Sequence, residues 1–341
     1  MTTLVATIFV LGLLVFVHEL GHFLTAKAVG MRVEEFALGF GKKIVGFQKG
    51  ETFYSLRMIP LGGFNKISGM DPDEDLDERS YLSKPLWARM LVIMAGSVMN
   101  LILPVLLFFI VFMSSGVNLP SNEPVLGELI DNKPAIMAGL ESGDRIVEVD
   151  GKFVNDWKDV VAAIHDAKQA EIEIAFTRDG VLDATMVTAE WEPVTERYLI
   201  GVLPVIEHQY LDADEAFIMA VKRTVSVTEQ IIVGLKQMVT GERKAELSGP
   251  IGVVQMTGEV ASLGILPLLS FAALLSINLG IFNLLPIPAL DGGHIVMLIL
   301  EGIRGKALDG KPLRMIQFIG IALILALMIY ATVGDVARFN F

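Results

Sequence analysis

Apolar residues along this chain gather into four long blocks, at Leu4–Ala26, Met90–Met113, Leu263–Leu285 and Met315–Val333. Each approaches or exceeds the ~20 residues with which an α-helix crosses a bilayer. They predict four transmembrane helices. Between the second and third lies a polar stretch, Val117–Ser262, long enough for a folded domain. Within it, a small-residue helical turn ends at Gly139, a Gly143-Asp144 turn follows, and Ile146 and Val149 lead to a turn at Asp150-Gly151. A helix near Asp156–Ala167 and an alternating strand at Ile172–Phe176 come next. Farther on, Phe217, Val221, Val225, Thr228, Ile232, Leu235 and Met238 recur at spacings of three and four. They predict an amphipathic helix over Asp214–Val239 that packs on the inserted domain or lies on the membrane. Between the first two blocks, short β-prone runs broken by glycine predict hairpins: Phe36 to Ile44 around Gly39-Phe40-Gly41, and Tyr54 to Phe64.

Composition agrees with a membrane protein. Of 341 residues 53% are hydrophobic and 19% charged, where a soluble domain holds about a quarter charged; mean hydropathy is +0.58. The net charge of −12 argues against nucleic acid, and it sits in one place. Residues 117–262 carry 25 acidic and 12 basic side chains, a net −13, and the rest of the chain nets +1. Short basic loops set topology. No Lys or Arg precedes the first block, nine lie in 30–89, and Arg304, Lys306, Lys311 and Arg314 follow the third. Those loops are expected in the cytoplasm, with both termini and the 117–262 region outside. The first block lacks a basic n-region and a small-x-small site, so it reads as a span and not as a signal peptide.

That first block is interrupted by His18-Glu19-Leu20-Gly21-His22, an H-E-x-x-H pattern. Residues four apart share a helix face, so both imidazoles can reach one metal, with Glu19 beside them to deprotonate a metal-bound water. Ionisable groups inside an apolar span are costly, at ~2.5–3.5 kcal/mol for a charge at the helix centre, so they pair, bind something or line a cavity. With no cysteine, the metal donors can only be histidines and carboxylates, and Zn²⁺ is the expected ion. Catalytic zinc generally takes three protein ligands and a water. The third block runs into Asn283-Leu284-Leu285-Pro286-Ile287-Pro288-Ala289-Leu290-Asp291-Gly292-Gly293-His294. There two prolines break the helix, and Asp291 and His294 are both able to ligate.

Together these residues resemble the bacterial site-2 proteases, intramembrane metalloproteases, and most closely the regulator-of-sigma-E type. The resemblance runs over essentially the whole chain. It implies that His18, His22 and Asp291 are the zinc ligands, that Glu19 is the general base, and that Asn283 holds the substrate backbone. It also implies that the hairpin around Gly39, Phe40 and Gly41 turns back into the membrane, where a strand edge can pair with an unwound substrate. Leu247-Ser248-Gly249-Pro250-Ile251-Gly252 looks like the family as well. One departure is Gly96-Ser97-Val98-Met99-Asn100, where the family often has Gly-Pro-x-x-Asn; the missing proline leaves any role for Asn100 open. Pro134–Gly151 resembles the PDZ signature of membrane proteases. A PDZ module captures a peptide terminus, or here simply obstructs the membrane cavity so that substrates must first be trimmed by another protease.

The expected architecture is a polytopic α-helical membrane protein of the bacterial inner membrane. It has four transmembrane helices, a membrane-associated β-hairpin region and one inserted extracytoplasmic PDZ domain of α+β type. Its parts are an N-terminal membrane region 1–116, with loops 30–89 between spans 4–26 and 90–113, a PDZ domain 117–203, a connector 204–262, and a C-terminal membrane region 263–341 with spans 263–285 and 315–333. The expected activity is zinc-dependent cleavage of transmembrane segments of single-span proteins, such as anti-sigma factors or remnant signal peptides, with the metal in the cytoplasmic half of the bilayer. Two rivals are a non-catalytic zinc-containing receptor that binds peptides through its PDZ domain, and a divalent-metal transporter. The intact Glu19 disfavours the receptor; four spans without an internal repeat disfavour the transporter. His165 and His208 have no metal-like spacing.

Overall fold

A computed structural model describes residues 2–70, 76–167, 171–192, 196–242, 249–306 and 310–339. Residues 71–75 of the acidic run Asp71–Glu78, Leu247 and Ser248 of the Leu-Ser-Gly-Pro-Ile-Gly segment, and the side chains of Lys311 and Arg314 lie outside that description. The chain divides into two units, one of residues 1–115 with 212–341, the other an insert at Gly116–Leu211.

The first unit opens with α1 (Thr3–Ala28), which runs into β1 (Val33–Lys49), β2 (Thr52–Ile67), a 3₁₀ turn at Tyr81–Ser83 and α2 (Leu86–Ser115). The two strands are longer than the hairpins expected, and they fold back on each other. Phe36 is paired with Asn65 on one side and with Tyr54 on the other, while Phe47 also faces Tyr54. Four segments therefore lie side by side in the order 43–49, 52–57, 33–38, 63–67. The bend between the first and third falls at Gly39 and Gly41, both with positive φ (87° and 84°), which glycine adopts without strain. Residues 40–49 are exposed, Phe40, Ile44, Val45 and Phe47 among them, whereas Ala37 is buried and Val33 and Phe36 are buried in one cluster with residues of α1 and α2.

The insert begins with β3 (Val117–Pro120), β4 (Leu126–Leu129) and a short helical turn, α3 (Pro134–Met137). Then come β5 (Arg145–Val149), β6 (Lys152–Phe153), α4 (Trp157–Ala167), β7 (Glu171–Arg178) and β8 (Val181–Thr188). Its sheet has the order β6-β5-β7-β8. Along β7, Ile172, Ile174 and Phe176 are buried while Glu171 and Glu173 are exposed, the period-two alternation of a strand with one wet face. Arg178 closes the core edge by donating from Nε and Nη2 to the two oxygens of buried Asp144, each at 2.7 Å. Burial alone would push the Asp144 carboxyl up, but Arg178 and the Glu141 N–H outweigh it and hold it low. Strands β9 (Glu190–Glu192) and β10 (Arg197–Leu199) pair with each other; β11 (Val202–Pro204) returns to β4 and β12 (Ile206–Gln209) to β3. The unit thus runs past residue 203, because its closing strands pair with its opening ones.

The first unit resumes with α5 (Ala213–Thr240), α6 (Pro250–Ser262), α7 (Ile265–Asn283), α8 (Asp291–Arg304) and α9 (Gly310–Phe339). Helix α5 packs on α2 and α7. Apart from Leu235, which packs on the core, its buried face is not the large-residue stripe picked out by spacing. Ala216, Ala220, Thr224 and Val227 face inward, and Phe217, Val221, Val225 and Ile232 are exposed. Small side chains let helices approach closely, so the alanine face outcompetes the bulky one for the interface. Among the described residues, four helices are long and apolar enough to span a membrane: α1, α2, α7 and Met315–Ala337 of α9. Helices α1, α2 and α7 share one apolar core with α5 that includes Val10, Leu14, Leu107, Leu268 and Ile277.

Candidate metal centre

His18 and His22 lie one turn apart on α1, with their Nε2 atoms 3.2 Å apart. Asp291, the first residue of α8, brings Oδ2 to 3.6 Å from His18 Nε2 and 3.7 Å from His22 Nε2. A tetrahedral ion with bonds of about 2.0–2.1 Å holds its donors roughly 3.3–3.4 Å apart, so this triangle fits one zinc with little adjustment. Two imidazoles and one carboxylate leave a fourth position for water or substrate, the donor set of an open catalytic zinc site. The side chains of His18, His22 and Asp291 are 13%, 11% and 16% exposed, a site that is enclosed but reachable.

Each donor is oriented by a second contact, and all three of these come from α2. The other ring nitrogen of His22, Nδ1, lies 2.8 Å from the Val92 carbonyl, an acceptor, which fixes Nδ1 as the protonated nitrogen and leaves the Nε2 lone pair facing the cluster. His18 Nδ1 is 3.2 Å from the side-chain amide of Asn100. Asn100 is fully buried, and its backbone carbonyl accepts from Ser276 Oγ of α7 at 2.8 Å. Ser97, also fully buried, donates from Oγ to Asp291 Oδ2 at 2.9 Å. Gly96 lets α2 approach the imidazoles: a Cβ there would sit 2.3 Å from His22 Nε2 and 2.8 Å from His18 Cε1. At the adjacent residues of the same crossing, a Cβ on Gly21 would lie 2.4 Å from the Ala95 carbonyl oxygen.

The segment that delivers Asp291 is built around close backbone contact. After Asn283 ends α7, the Leu284 and Leu285 N–H groups still donate one turn back, and a tight turn follows through Pro286–Ala289, with Ala289 at φ 75°. A Cβ on Gly292 would lie 2.1 Å from the Leu285 carbonyl oxygen, and one on Gly293 2.4 Å from that of Ile287. The two glycines are thus what allows α8 to start against this turn. The sequence pattern read the region as a break followed by loop, yet α8 is a regular helix. Its signals were present: Asp291 in the first turn, Arg304 in the last, and Gly305 at the C-terminal cap with φ 67°.

Among the residues expected at the site, His18, His22 and Asp291 converge, with Glu19 alongside them on α1. His294 does not join them. Its Nδ1 lies 3.1 Å from the Leu290 carbonyl and its Nε2 3.2 Å from Gln317. Asn283 is half-buried at the C-terminal end of α7. Gly39, Phe40 and Gly41 form the bend of the β-sheet, outside the donor triangle, where Arg57 Nη1 donates to the Gly41 carbonyl at 3.0 Å. His165 accepts from the Tyr198 N–H, and His208 pairs with Asn118. Sequence reasoning met Gly96 and Ser97 only as part of a departure from the family pattern, with no role at the metal, and left out Asn65. The amide of Asn65 donates to Glu19 Oε2 at 2.7 Å and to the Glu19 carbonyl at 2.8 Å.

Comparison with known proteins agrees with this arrangement. The model of peptidase family M50 matches residues 6–327. The regulator of sigma-W protease RasP of Bacillus subtilis is 34% identical, the alignment covering 98% of each chain. Zinc metalloprotease RasP of Bacillus licheniformis is 33% identical over 99% of each. A PDZ domain of an SdrC-like protein from Listeria monocytogenes aligns with 26% of this chain and 94% of its own, at 20% identity and a TM-score of 0.23. Over nearly its whole length, and with the site-2 protease motifs in place, the chain belongs to peptidase family M50.

Proposed function

We propose that this multi-pass membrane protein is a zinc endopeptidase that cuts the transmembrane segments of single-span proteins inside the bilayer. The observation that carries the reading is the triangle of His18, His22 and Asp291 donors with Glu19 one residue along the same helix. His18, His22 and Asp291 would hold the metal. Zinc, when bound there, supplies a water of lowered pKa and polarises the scissile carbonyl. Glu19 takes the proton of the attacking water and returns it to the leaving amide nitrogen. Val92, Asn100 and Ser97 keep the donors aimed. Asn283 and the bend at Gly39, Phe40 and Gly41 hold the unwound substrate as an added strand, since hydrolysis needs an extended backbone.

The same reading places the insert and both termini outside the cytoplasmic membrane and the metal in its cytoplasmic half, following the basic loops. The insert is a PDZ module, supported by its Pro134–Gly151 signature, which limits access to substrates already shortened by another protease. Anti-sigma factors and remnant signal peptides are the substrate classes that suit it; one relative is by name a regulator of sigma-W protease. A purely structural zinc site in a receptor gives no reason for a carboxylate held in place beside the histidines. The test is Glu19→Gln in the full chain: zinc content is expected to stay, and cleavage of a single-span model substrate to fall to a small residual rate. Full activity in that variant would overturn the mechanism.

A further inference from the structure

We propose that Asn65 is a positioning residue for the general base, and that the strand segment 63–67 is shaped around Glu19. The proposal rests on the reading of Glu19 given above. Residues 63 and 65 share one face of the strand, and both meet Glu19. At Gly63 a Cβ would stand 3.0 Å from Glu19 Cγ and 2.8 Å from the Ala37 carbonyl oxygen, so only glycine leaves the carboxylate its place. At Asn65 the amide nitrogen donates twice to Glu19, to the carboxylate Oε2 at 2.7 Å and to the backbone carbonyl at 2.8 Å. The opposite face has different work: Phe64 lies 4.8 Å under the Arg57 guanidinium, and Lys66 Nζ pairs with Glu34 at 2.7 Å.

The hydrogen-bond inventory explains the choice of an amide. Asn65 uses its nitrogen for both bonds, while its Oδ1 is buried with no hydrogen-bond partner. An unpartnered buried oxygen is costly, so the donor must matter at this position. Aspartate has the same shape but offers no donor and would set a second carboxylate against Glu19. With Oε2 held by Asn65, Oε1 is the oxygen that remains to take the proton from the attacking water. The bond to the Glu19 carbonyl fixes the strand to the helix turn, so the carboxylate is located relative to both the histidines of α1 and the sheet. Positioning of this kind acts on turnover, since a misplacement of about 1 Å at a reacting group costs on the order of 100-fold.

The experiment uses the full chain, purified with zinc and assayed on a single-span model substrate. Asn65→Leu, which keeps the shape and removes the donor, is expected to lower kcat about 10- to 100-fold with KM within twofold and zinc content unchanged. Asn65→Asp is expected to lower kcat at least as far. In the Glu19→Gln background, adding Asn65→Leu is expected to change the residual rate by less than twofold, because the group it positions is gone. Should the leucine variant fail to accumulate, Asn65→Ser, with a hydroxyl of shorter reach, takes its place in the same comparison. Unchanged kcat in Asn65→Asp and in Asn65→Leu (or the serine variant that replaces it) overturns the proposal, as does an equal loss in the Glu19→Gln background or a parallel loss of zinc. Failure of the underlying reading looks different: Glu19→Gln would itself retain full activity.

Discussion

Replacing Gly96 with alanine should expel the metal while leaving the chain folded. The added methyl would lie 2.3 Å from His22 Nε2, 2.7 Å from His22 Cε1 and 2.8 Å from His18 Cε1. Non-bonded heavy atoms settle near 3.5 Å, so about 1 Å of movement is required. Sliding the helices cannot supply it cheaply, because the same crossing is already tight where Gly21 meets the Ala95 carbonyl. The imidazoles must therefore turn, and zinc sites tolerate only about 0.2 Å in ligand distance. We expect zinc affinity to fall at least 100-fold, or about 2.8 kcal/mol at 1.4 kcal/mol per tenfold. The assay is zinc per chain at graded free zinc, read beside the thermal melt of the detergent-solubilised protein. Gly12→Ala is the matched control: it lies on α1 with nothing within 4 Å of an added Cβ. It should keep the zinc midpoint and gain up to about 1 kcal/mol from helix propensity. A Gly96→Ala protein with the wild-type zinc midpoint and wild-type cleavage would refute the reasoning.

Other outcomes follow from the ion pairs. Arg89, whose side chain is 8% exposed, binds both carboxylate oxygens of Glu301, 19% exposed, and so joins α2 to α8. Arg89→Met should cost about 3 kcal/mol by leaving a buried carboxylate unpaired, while Arg89→Met with Glu301→Leu should recover most of it; a melt in which the double variant is the worse would contradict this. Glu51 is held down to about 2 by hydrogen bonds from Arg79 and Lys27, with their charges assisting. A carboxyl lowered in the fold stabilises it fully above its unfolded pKa of about 4.5 and loses that contribution as pH falls toward 2. The melting difference between wild type and Glu51→Gln should accordingly shrink between about pH 5 and pH 2; a difference independent of pH would count against it.

The parts of the site legible in the sequence were those in which residue type and spacing carry the information. Two histidines and a glutamate in an apolar span are conspicuous because burying them is expensive, and the proline-broken segment marked where a third donor could enter. Spacing alone could not choose Asp291 over His294. The structure shows why the choice matters, since His294 turns to Gln317 and Leu290. The cost argument that exposed His18 also applies to Ser97 and Asn100, three apart on one face of α2, and would have flagged them. Gly96, Asn65 and the Val92 carbonyl left no such trace. A glycine that admits an imidazole, an amide on a neighbouring strand and a backbone oxygen acquire meaning only once two elements cross. The exposed stripe of α5 teaches the same limit: periodicity found the helix, and interhelical distance decided which face was buried.

With His18, His22 and Asp291 holding the metal as proposed, the separation of the donors along the chain also imposes an order on the molecule's life. At about 5–20 residues per second, the histidine helix leaves the ribosome roughly ten seconds to a minute before the aspartate exists. Through that interval the nascent polypeptide holds two imidazoles and an unused carboxylate, a chelate too poor to retain zinc firmly. Products of aborted translation, ribosome-stalled chains ending before residue 291 among them, should therefore be inert. A hydrolase born inside a crowded bilayer is thus disarmed until residue 291 has been made, without any separate inhibitor.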